Sequence, residues 1–252
     1  MKRIVILAAG KGTRMGSNIP KVLTPLAGRP MIEYLIRSIK EADPATRPVV
    51  VISPTNGEAI KLALSSYACD YAIQTEQLGT GHALASALGL MGDEVESVVS
   101  FYGDHPFVQA DTVRKLISCP KGIVAMATIK VQDFLDYRKN FYSWGRIIRE
   151  GDEVKRIVEF KDAIGEEKEI MEVNPGFYCF NRSWLKENIN KLKNENSQKE
   201  YYLTDLIGLA VEQKHKINAI AIDPRQAIGI NSPEELAVAE NLIKQTTEQK
   251  VA

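Results

Sequence analysis

Short apolar runs alternate with helical patterns through the first half of the chain, and this alternation restricts the fold more than any other feature. Four runs predict buried strands, at residues 3–8, 49–53, 70–74 and 97–102. Helical patterns follow them at 31–41, 56–66, 81–91 and 112–117. Strands separated by helices require right-handed crossovers, so they pair in parallel and are covered by helices on both faces. The first half therefore predicts an α/β fold around a mostly parallel sheet.

The second half predicts a change to antiparallel pairing. Apolar runs predict further strands at 122–131, 177–180 and 217–222. Residues 146–149 and 154–159 flank the turn pair Gly151-Asp152, which is typical of an antiparallel hairpin. The complete sheet is therefore expected to be mixed.

The chain closes on a predicted helix. Ser232 is a suitable N-cap and Pro233 is favoured at the first helical position. The helix is predicted over 232–245, and 246–252 is predicted to be a frayed tail. Because no linker or repeat interrupts the sequence, we expect residues 1–245 to form one domain.

Three polar or small-residue segments directly follow predicted strands. They are the glycine loop after the first strand, Gln74 after the third, and Gly103-Asp104 after the fourth. The carboxyl ends of parallel strands meet at one edge of a sheet, and ligands bind there. We therefore expect these segments to share one site.

The loop after the first strand has the composition of a phosphate site. Residues 8–10 and Gly12 carry almost no side chain, so their backbone N–H groups can approach an anion closely. Three cations accompany them: Lys11, Arg14 and Lys21. The spacing fits neither a Walker loop nor a dinucleotide fingerprint, which would need Gly or Ala where Met15 stands. An ordinary strand-to-helix turn with solvated lysines remains the alternative at this point.

Composition excludes several classes of partner. The 252 residues carry 32 basic and 32 acidic side chains, so no overall field attracts nucleic acid or a membrane surface. The three cysteines are far apart, which is typical of reduced cysteines rather than disulfides or structural zinc. No apolar stretch has the length of a signal peptide core or a membrane span. We therefore expect a cytoplasmic protein without nucleic-acid or membrane partners.

The loop also resembles a known family. Leu-Ala-Ala-Gly-Lys-Gly-Thr-Arg-Met at 7–15 and Pro-Lys-Val-Leu at 20–23 resemble the signature of the sugar-1-phosphate nucleotidyltransferases. Further segments follow in the family's order, at 74–83, 102–104, 144–147, 159–163, 172–174, 200–205 and 229–231. The resemblance extends from about Lys2 to Leu242 and is greatest to the uridylyltransferase half of the family's bifunctional members. It implies a Rossmann-like three-layer αβα fold of nucleotide-diphospho-sugar transferases, with an antiparallel hairpin insertion in a mixed, mostly parallel sheet.

The resemblance also implies an activity and a division of the domain. The implied reaction is Mg²⁺-dependent transfer of UMP from UTP to N-acetylglucosamine-1-phosphate, giving UDP-N-acetylglucosamine and pyrophosphate. The nucleotide-binding half would cover about 1–120 and the sugar-binding half about 121–230. The implied catalytic residues are Arg14 and Lys21, and the implied metal ligands are Asp104 and Asn231. The nucleotide would contact Leu7, Ala8, Ala9, Gly10, Lys11, Gly12, Gln74, Gly79 and Thr80. The sugar would contact Gly145, Glu159, Asn174, Tyr202 and Thr204.

Departures from the family pattern fall on the sugar side. Pro175 stands where Thr is expected, and residues 134–144 form a longer insertion rich in aromatic and charged side chains. Another sugar-1-phosphate therefore stays open. dTTP in place of UTP also stays open, because the amide of Gln74 can rotate and does not by itself exclude thymine. Thr204 is equally well explained as a helix cap. The oligomeric state also stays open.

Functions outside this reaction are weaker alternatives. A catalytically silent homologue that binds nucleotide sugars would be expected to have lost Lys21, Asp104 or Asn231, and all three are present. A dinucleotide-dependent oxidoreductase is disfavoured by Met15. Because the sequence contains no hexapeptide repeat, an acetyltransferase β-helix is not predicted.

Overall fold

The computed structural model describes residues 1–10, 12, 15–16, 19–118 and 122–251, with side chains up to residue 245. In this part of the chain the strands are β1 (Lys2–Leu7), β2 (Pro25–Leu26), β3 (Arg29–Pro30), β4 (Val49–Ile52), β5 (Asp70–Ile73), β6 (Ser97–Tyr102), β7 (Val124–Lys130), β8 (Arg146–Glu150), β9 (Glu153–Val158), β10 (Glu172–Val173), β11 (Tyr178–Asn181) and β12 (Ile217–Ala221). The helices are α1 (Met31–Ala42), α2 (Gly57–Ala63), α3 (Thr80–Ala87), α4 (Ala110–Ile117), α5 (Arg182–Asn188), α6 (Asp205–Glu212) and α7 (Pro233–Val251).

One mixed sheet runs through both halves of the chain. Its order over the described strands is β5-β4-β1-β6-β11-β7-β10-β8-β9, with β12 also paired to β7. The strands from β5 to β6 are parallel, and β11 is antiparallel to both β6 and β7. Strands β8 and β9 form the antiparallel hairpin around Gly151. The predicted α/β fold with a mixed sheet and a hairpin insertion is thus confirmed.

Helices cover both faces of the sheet because successive strand residues point to opposite sides. On β1, Ile4 and Ile6 pack with buried residues of α1, α2 and α4. Val5 and Leu7 pack on the other face, with buried residues of α3, α5 and α6. The near-continuous apolar run of β1 is therefore that of a strand buried on both faces. Within the described residues no helix combines the length and the apolar character needed to cross a bilayer.

Several elements differ from the sequence predictions at their ends. The helix predicted over 81–91 ends at Ala87 and continues as a short 3-10 turn to Leu90. The last helix continues to Val251, beyond the predicted end near 245, so the backbone at 246–251 is helical rather than frayed. These tail residues include neither Gly nor Pro, the residues that commonly stop a helix.

Candidate active site

A cavity of about 680 Å³ opens where the parallel strands end. Most of the residues singled out from the sequence line it, namely Leu7, Ala8, Ala9, Gly10, Gly12, Lys21, Gln74, Gly79, Thr80, Asp104, Gly145, Glu159, Asn174 and Asn231. Tyr202 and Thr204 do not line it, and Lys11 and Arg14 lie outside the described residues. The topology therefore brings segments from across the sequence to one edge of the sheet.

The loop after β1 is fixed from behind by a buried amide. Asn56 donates from Nδ2 to the carbonyl oxygen of Ala8 at 3.0 Å and accepts from the backbone N–H of Ser53 at 2.8 Å. Gly12 adopts φ +61°, and a Cβ there would lie 2.6 Å from the Cβ of Lys21. Only glycine lets the loop pass this close to the lysine. The backbone of the loop and the side chain of Lys21 therefore lie next to each other in the cavity wall.

Lys21 connects two side chains that arrive from distant parts of the chain. Its ammonium donates to Oδ2 of Asp104 and, at 2.8 Å, to Oδ1 of Asn231. Burial alone would raise the pKa of Asp104, but the charge of Lys21 and the hydrogen bonds from Lys21 and the neighbouring His105 outweigh it and hold that pKa well below the usual range. Asp104 is therefore an ionised carboxylate inside the cavity.

Asn231 is held by the start of α7. Its backbone N–H donates to the carboxylate of Glu235, and the backbone N–H of Ile230 donates to the carbonyl oxygen of Asp104 at 3.0 Å. The segment before α7 is thus attached to the turn after β6. This attachment explains how a residue so late in the chain comes to lie opposite Asp104.

These two oxygens fit a hard divalent cation. Oδ2 of Asp104 and Oδ1 of Asn231 both lie within hydrogen-bond range of one cationic atom, Nζ of Lys21, so they converge on a common point. Mg²⁺ commonly takes one or two protein oxygens and completes its shell with water and substrate phosphates. The described residues contain no cluster of three or more His, Cys, Asp or Glu that could hold a metal by themselves.

The amide of Gln74 is oriented by its neighbours. Its Nε2 donates to the carbonyl oxygen of Gly79 at 3.1 Å and faces Nδ1 of His82 at 3.1 Å. Since a carbonyl oxygen can only accept, the NH₂ group faces Gly79, and Oε1 has no partner among the described residues. Gln74 therefore offers the cavity a hydrogen-bond acceptor.

An acid and an amide, Glu159 and Asn174, also line the cavity. Burial raises the pKa of Glu159 above its usual value, against the opposing hydrogen bond from Thr204, whose hydroxyl lies 3.1 Å from Oε1. Asn174 donates from Nδ2 to the hydroxyl oxygen of Tyr178 at 2.6 Å and accepts from the backbone N–H of Gly176 at 3.0 Å. Both side chains are thus held by the protein while facing the cavity.

Tyr202 and Thr204, both predicted to contact the sugar, do not line the cavity, and Thr204 contacts the lining residue Glu159. Thr204 precedes α6, as the helix-cap alternative anticipated, but its side chain makes no capping bond and turns to Glu159 instead. The hydroxyl of Tyr202 accepts from Nε2 of Gln198 at 2.7 Å. Both residues were predicted to contact the sugar, because sequence order alone does not distinguish residues that line a cavity from residues packed behind them.

The insertion 134–144 closes over a buried arginine. Arg146 has no exposed surface, and its guanidinium donates to three backbone carbonyls, those of Tyr142, Trp144 and Lys168, at 2.6–3.2 Å. The guanidinium carbon lies 4.9–5.7 Å from three ring centroids, those of Phe134, Tyr142 and Phe160. Burial lowers the pKa of Arg146 below its usual value. This aromatic cage fixes Ser143, Trp144 and Gly145, which line the cavity.

Other lining residues were not assigned to the site from the sequence. They include Gln77, Tyr102, His105, Trp144, Pro175, Gly176 and Glu200. The ring of Tyr102 packs directly on Gly176. A Cβ on Gly176, at φ +80°, would lie 2.0 Å from that ring. In the sequence, the main indication for most of them was their position close to a predicted site residue.

Comparisons with known proteins identify the family of the chain. Residues 4–200 match the MobA-like NTP transferase domain. The chain is 41% identical over 244 residues to the bifunctional protein GlmU of Clostridium novyi, covering 96% of this chain and 52% of that protein. It is 38% identical over 250 residues to the bifunctional protein GlmU of Desulfotalea psychrophila, covering 98% of this chain and 72% of that protein. The chain thus spans between about half and three quarters of the length of these relatives.

Solved structures share the fold at low identity. A protein assigned as a glucose-1-phosphate thymidylyltransferase from Bacillus anthracis superposes with a TM-score of 0.75 at 18% identity, covering 96% of this chain and 95% of that one. A UDP-glucose pyrophosphorylase in complex with UDP-glucose gives 0.72 at 21% identity, covering 98% and 99%. With the domain match and the relatives above, these findings show that the chain belongs to the MobA-like NTP transferase family and, within it, to the GlmU-like nucleotidyltransferases of the sugar-1-phosphate type.

Proposed function

We propose that the protein transfers UMP from UTP to N-acetylglucosamine-1-phosphate in the presence of Mg²⁺, releasing pyrophosphate. One observation carries the proposal: a single cavity combines a small-residue loop with Lys21, the converging oxygens of Asp104 and Asn231, and an acid and an amide at its far end. The first groups suit a triphosphate, and the last two suit a sugar. The proposed substrates are intracellular, so we place the enzyme in the cytoplasm.

The proposed chemistry needs positioning and charge neutralisation rather than a covalent intermediate. A phosphate oxygen of the sugar phosphate attacks the α-phosphorus of UTP, and the bond from that phosphorus to the bridging oxygen breaks, releasing pyrophosphate. Since the attacking oxygen is already anionic, no general base is required. The loop backbone and Lys21 would orient the phosphates for in-line attack.

Asp104 and Asn231 would hold the metal ion. Bound there, Mg²⁺ would neutralise charge on the phosphates being joined. Lys21, which now contacts both ligands, would exchange these contacts for phosphate oxygens. The three groups therefore act as one unit, and loss of any of them should affect turnover more than folding.

The sugar and the base are recognised at opposite ends. Asn174 and Glu159 would accept and donate hydrogen bonds to the sugar hydroxyl and acetamido groups, next to the backbone of Gly145. Gln74 would accept from the N3–H of uracil through Oε1. Thymine carries the same N3–H, so dTTP is a second candidate nucleotide.

A different sugar-1-phosphate is the second candidate for the acceptor. Pro175, Ser143 and Trp144 line the cavity, and they belong to the two departures from the family pattern. Their position at the sugar end supports an altered sugar preference without any change at the phosphate end.

The test is pyrophosphate release with UTP, Mg²⁺ and a panel of sugar-1-phosphates, repeated with dTTP. Asp104→Ala provides the inactive control and the exposed Asp93→Ala the matched active control. Strong release with UTP and N-acetylglucosamine-1-phosphate alone would support the full proposal. Release with another pair would replace the substrate assignment, and no release with any pair would favour a silent nucleotide-sugar-binding homologue.

A further inference from the structure

His105 lies directly beside the proposed metal ligand Asp104 and has no role in the reaction as proposed. Its Nδ1 lies 2.8 Å from Oδ1 of Asp104, and both side chains are buried, with 6% and 10% of their surface exposed. Because Asp104 is an ionised carboxylate that can only accept, Nδ1 carries the hydrogen. One carboxylate oxygen is thus committed to His105, and the other faces Lys21.

The imidazole ring has almost no freedom to move. Aromatic rings surround it, with centroid distances of 5.7 Å to Tyr102, 5.8 Å to Trp144 and 5.1 Å to Phe177. On its remaining side lies Gly229, where a Cβ would come within 2.9 Å of Nε2. Nε2 itself is buried without a hydrogen-bond partner in the described part of the chain. The ring orientation is therefore fixed by packing and by the single bond to Asp104.

The same ring touches both segments that supply the proposed ligands. Through Nδ1 it contacts Asp104, and through its Nε2 side it packs against Gly229, two positions before Asn231. Glycine at 229 is what permits this close approach. A change at His105 would consequently reach Asp104 and Asn231 together.

We propose that His105 is a positioning residue for the cation site: its Nδ1–H fixes Oδ1 of Asp104, so that Oδ2 faces the cavity opposite Asn231. The inference rests on the proposed function, because it assumes that Asp104 and Asn231 hold a divalent cation beside the triphosphate. A carboxylate without this bond would rotate about its terminal torsion and lose its alignment with Asn231. Residues that orient metal ligands in this way commonly change metal affinity by about 10–100-fold when replaced.

The test measures how much a metal strengthens nucleotide binding. UTP affinity is determined by calorimetry with Mn²⁺ and again with EDTA, and the ratio of the two dissociation constants gives the metal-dependent gain. His105→Phe keeps a ring but removes the donor, and we expect it to lower this gain by about 10-fold or more with UTP binding in EDTA unchanged. A residue that only supported the fold would weaken binding in both conditions. His215→Phe, far from the cavity in the segment before β12, is the matched control.

Two polar variants keep the test decisive if His105→Phe does not fold. In His105→Asn the side-chain NH₂ replaces Nδ1–H, and the gain should stay within about threefold of wild type. In His105→Gln the amide falls near the Nε2 position, and the gain should be lost. Equal gains for Asn and Gln, or a wild-type gain for Phe, would overturn the inference.

The reference variant Asp104→Ala separates this inference from the proposed function. It should lose the metal-dependent gain entirely. If it retains that gain, the metal assignment and the inference both fail. If it loses the gain while His105→Phe and His105→Gln retain it, only the role of His105 is refuted.

Discussion

Replacing Arg146 by methionine should destabilise the protein more than its position on a short hairpin would suggest. The substitution keeps most of the side-chain volume but removes a fully buried guanidinium. Hydrogen bonds made by a charged group contribute about 1.5–3 kcal/mol each, and three carbonyl oxygens accept from Arg146. Desolvation of the cation offsets part of this contribution, and methionine can regain some contact with the rings. Because three carbonyl acceptors lose their donor, at about 1–3 kcal/mol each, we expect the free energy of unfolding to fall by about 3–5 kcal/mol.

Arg149→Met is the matched control, because Arg149 lies on the same strand. Its guanidinium pairs with Glu172 at 2.7 and 2.8 Å, but its side chain is 27% exposed. A partly exposed pair of this kind contributes about 1 kcal/mol or less. Urea denaturation followed by circular dichroism would compare the two variants with wild type. A loss for Arg146→Met within about 1 kcal/mol of the loss for Arg149→Met would refute the reasoning.

The same variant should change sugar binding selectively. Two of the three carbonyls that accept from Arg146, those of Tyr142 and Trp144, belong to the insertion that precedes Gly145 in the cavity wall. We expect KM for the sugar phosphate to rise by roughly 10-fold, since about one hydrogen bond to the sugar is lost, while KM for UTP stays unchanged. An equal increase in both KM values would show that the cage supports the whole cavity rather than its sugar end.

Other predictions concern single residues of the cavity. Asp104→Ala should abolish turnover while the variant still folds; a folded variant with a near-normal rate would refute the metal assignment. Lys21→Met should lower kcat far more than UTP affinity, and the reverse pattern would make Lys21 a binding cation only. The raised pKa of Glu159 means that the folded state favours the protonated acid, so its contribution to stability is lost as pH rises above 4.5. Relative to wild type, Glu159→Gln should therefore raise the free energy of unfolding more at pH 8 than at pH 4. The same difference between variant and wild type at both pH values would contradict this. Gly79→Ala should cost about 2 kcal/mol or more and weaken UTP binding, because its Cβ would lie 2.7 Å from the carbonyl oxygen of Tyr201, whereas the unobstructed Gly89→Ala should have little effect.

The sequence predicted the parallel part of the fold because each element there has a strong local signal. Strands β1, β4 and β6 are apolar runs that are largely buried, β5 is a shorter and partly exposed edge strand, and a helical pattern follows each of the four. Their order along one edge then placed the loop, Gln74 and Asp104 together by topology alone. Local patterns and the family order therefore sufficed for the residues that line the phosphate end.

Other features depend on partners that are distant in sequence. Strand β11 inserts antiparallel between β6 and β7, and nothing in its local sequence indicates these partners. Strand β10 has only two residues, which is too short for a local strand pattern. The bond from Asn56 to the Ala8 carbonyl joins residues 48 positions apart. From the sequence, the segment 134–144 is only a longer insertion on the sugar side, whereas in the structure its aromatic residues pack on Arg146 of the neighbouring motif. Such side-chain partnerships arise only once the chain is folded.

The nucleotide and sugar ends of the cavity share one wall, which limits how independently they can change. The backbone N–H of Tyr201 donates to the carbonyl of Leu78 at 2.8 Å, and its carbonyl accepts from the N–H of Gly81 at 2.8 Å. Three residues later, the hydroxyl of Thr204 holds Glu159 at the sugar end. A substitution that moves this segment toward a larger sugar would also move the turn beside Gln74. Changes in sugar preference are therefore more easily accommodated at Pro175 and the insertion, which lie outside this segment and which stand out in the sequence as departures from the family pattern.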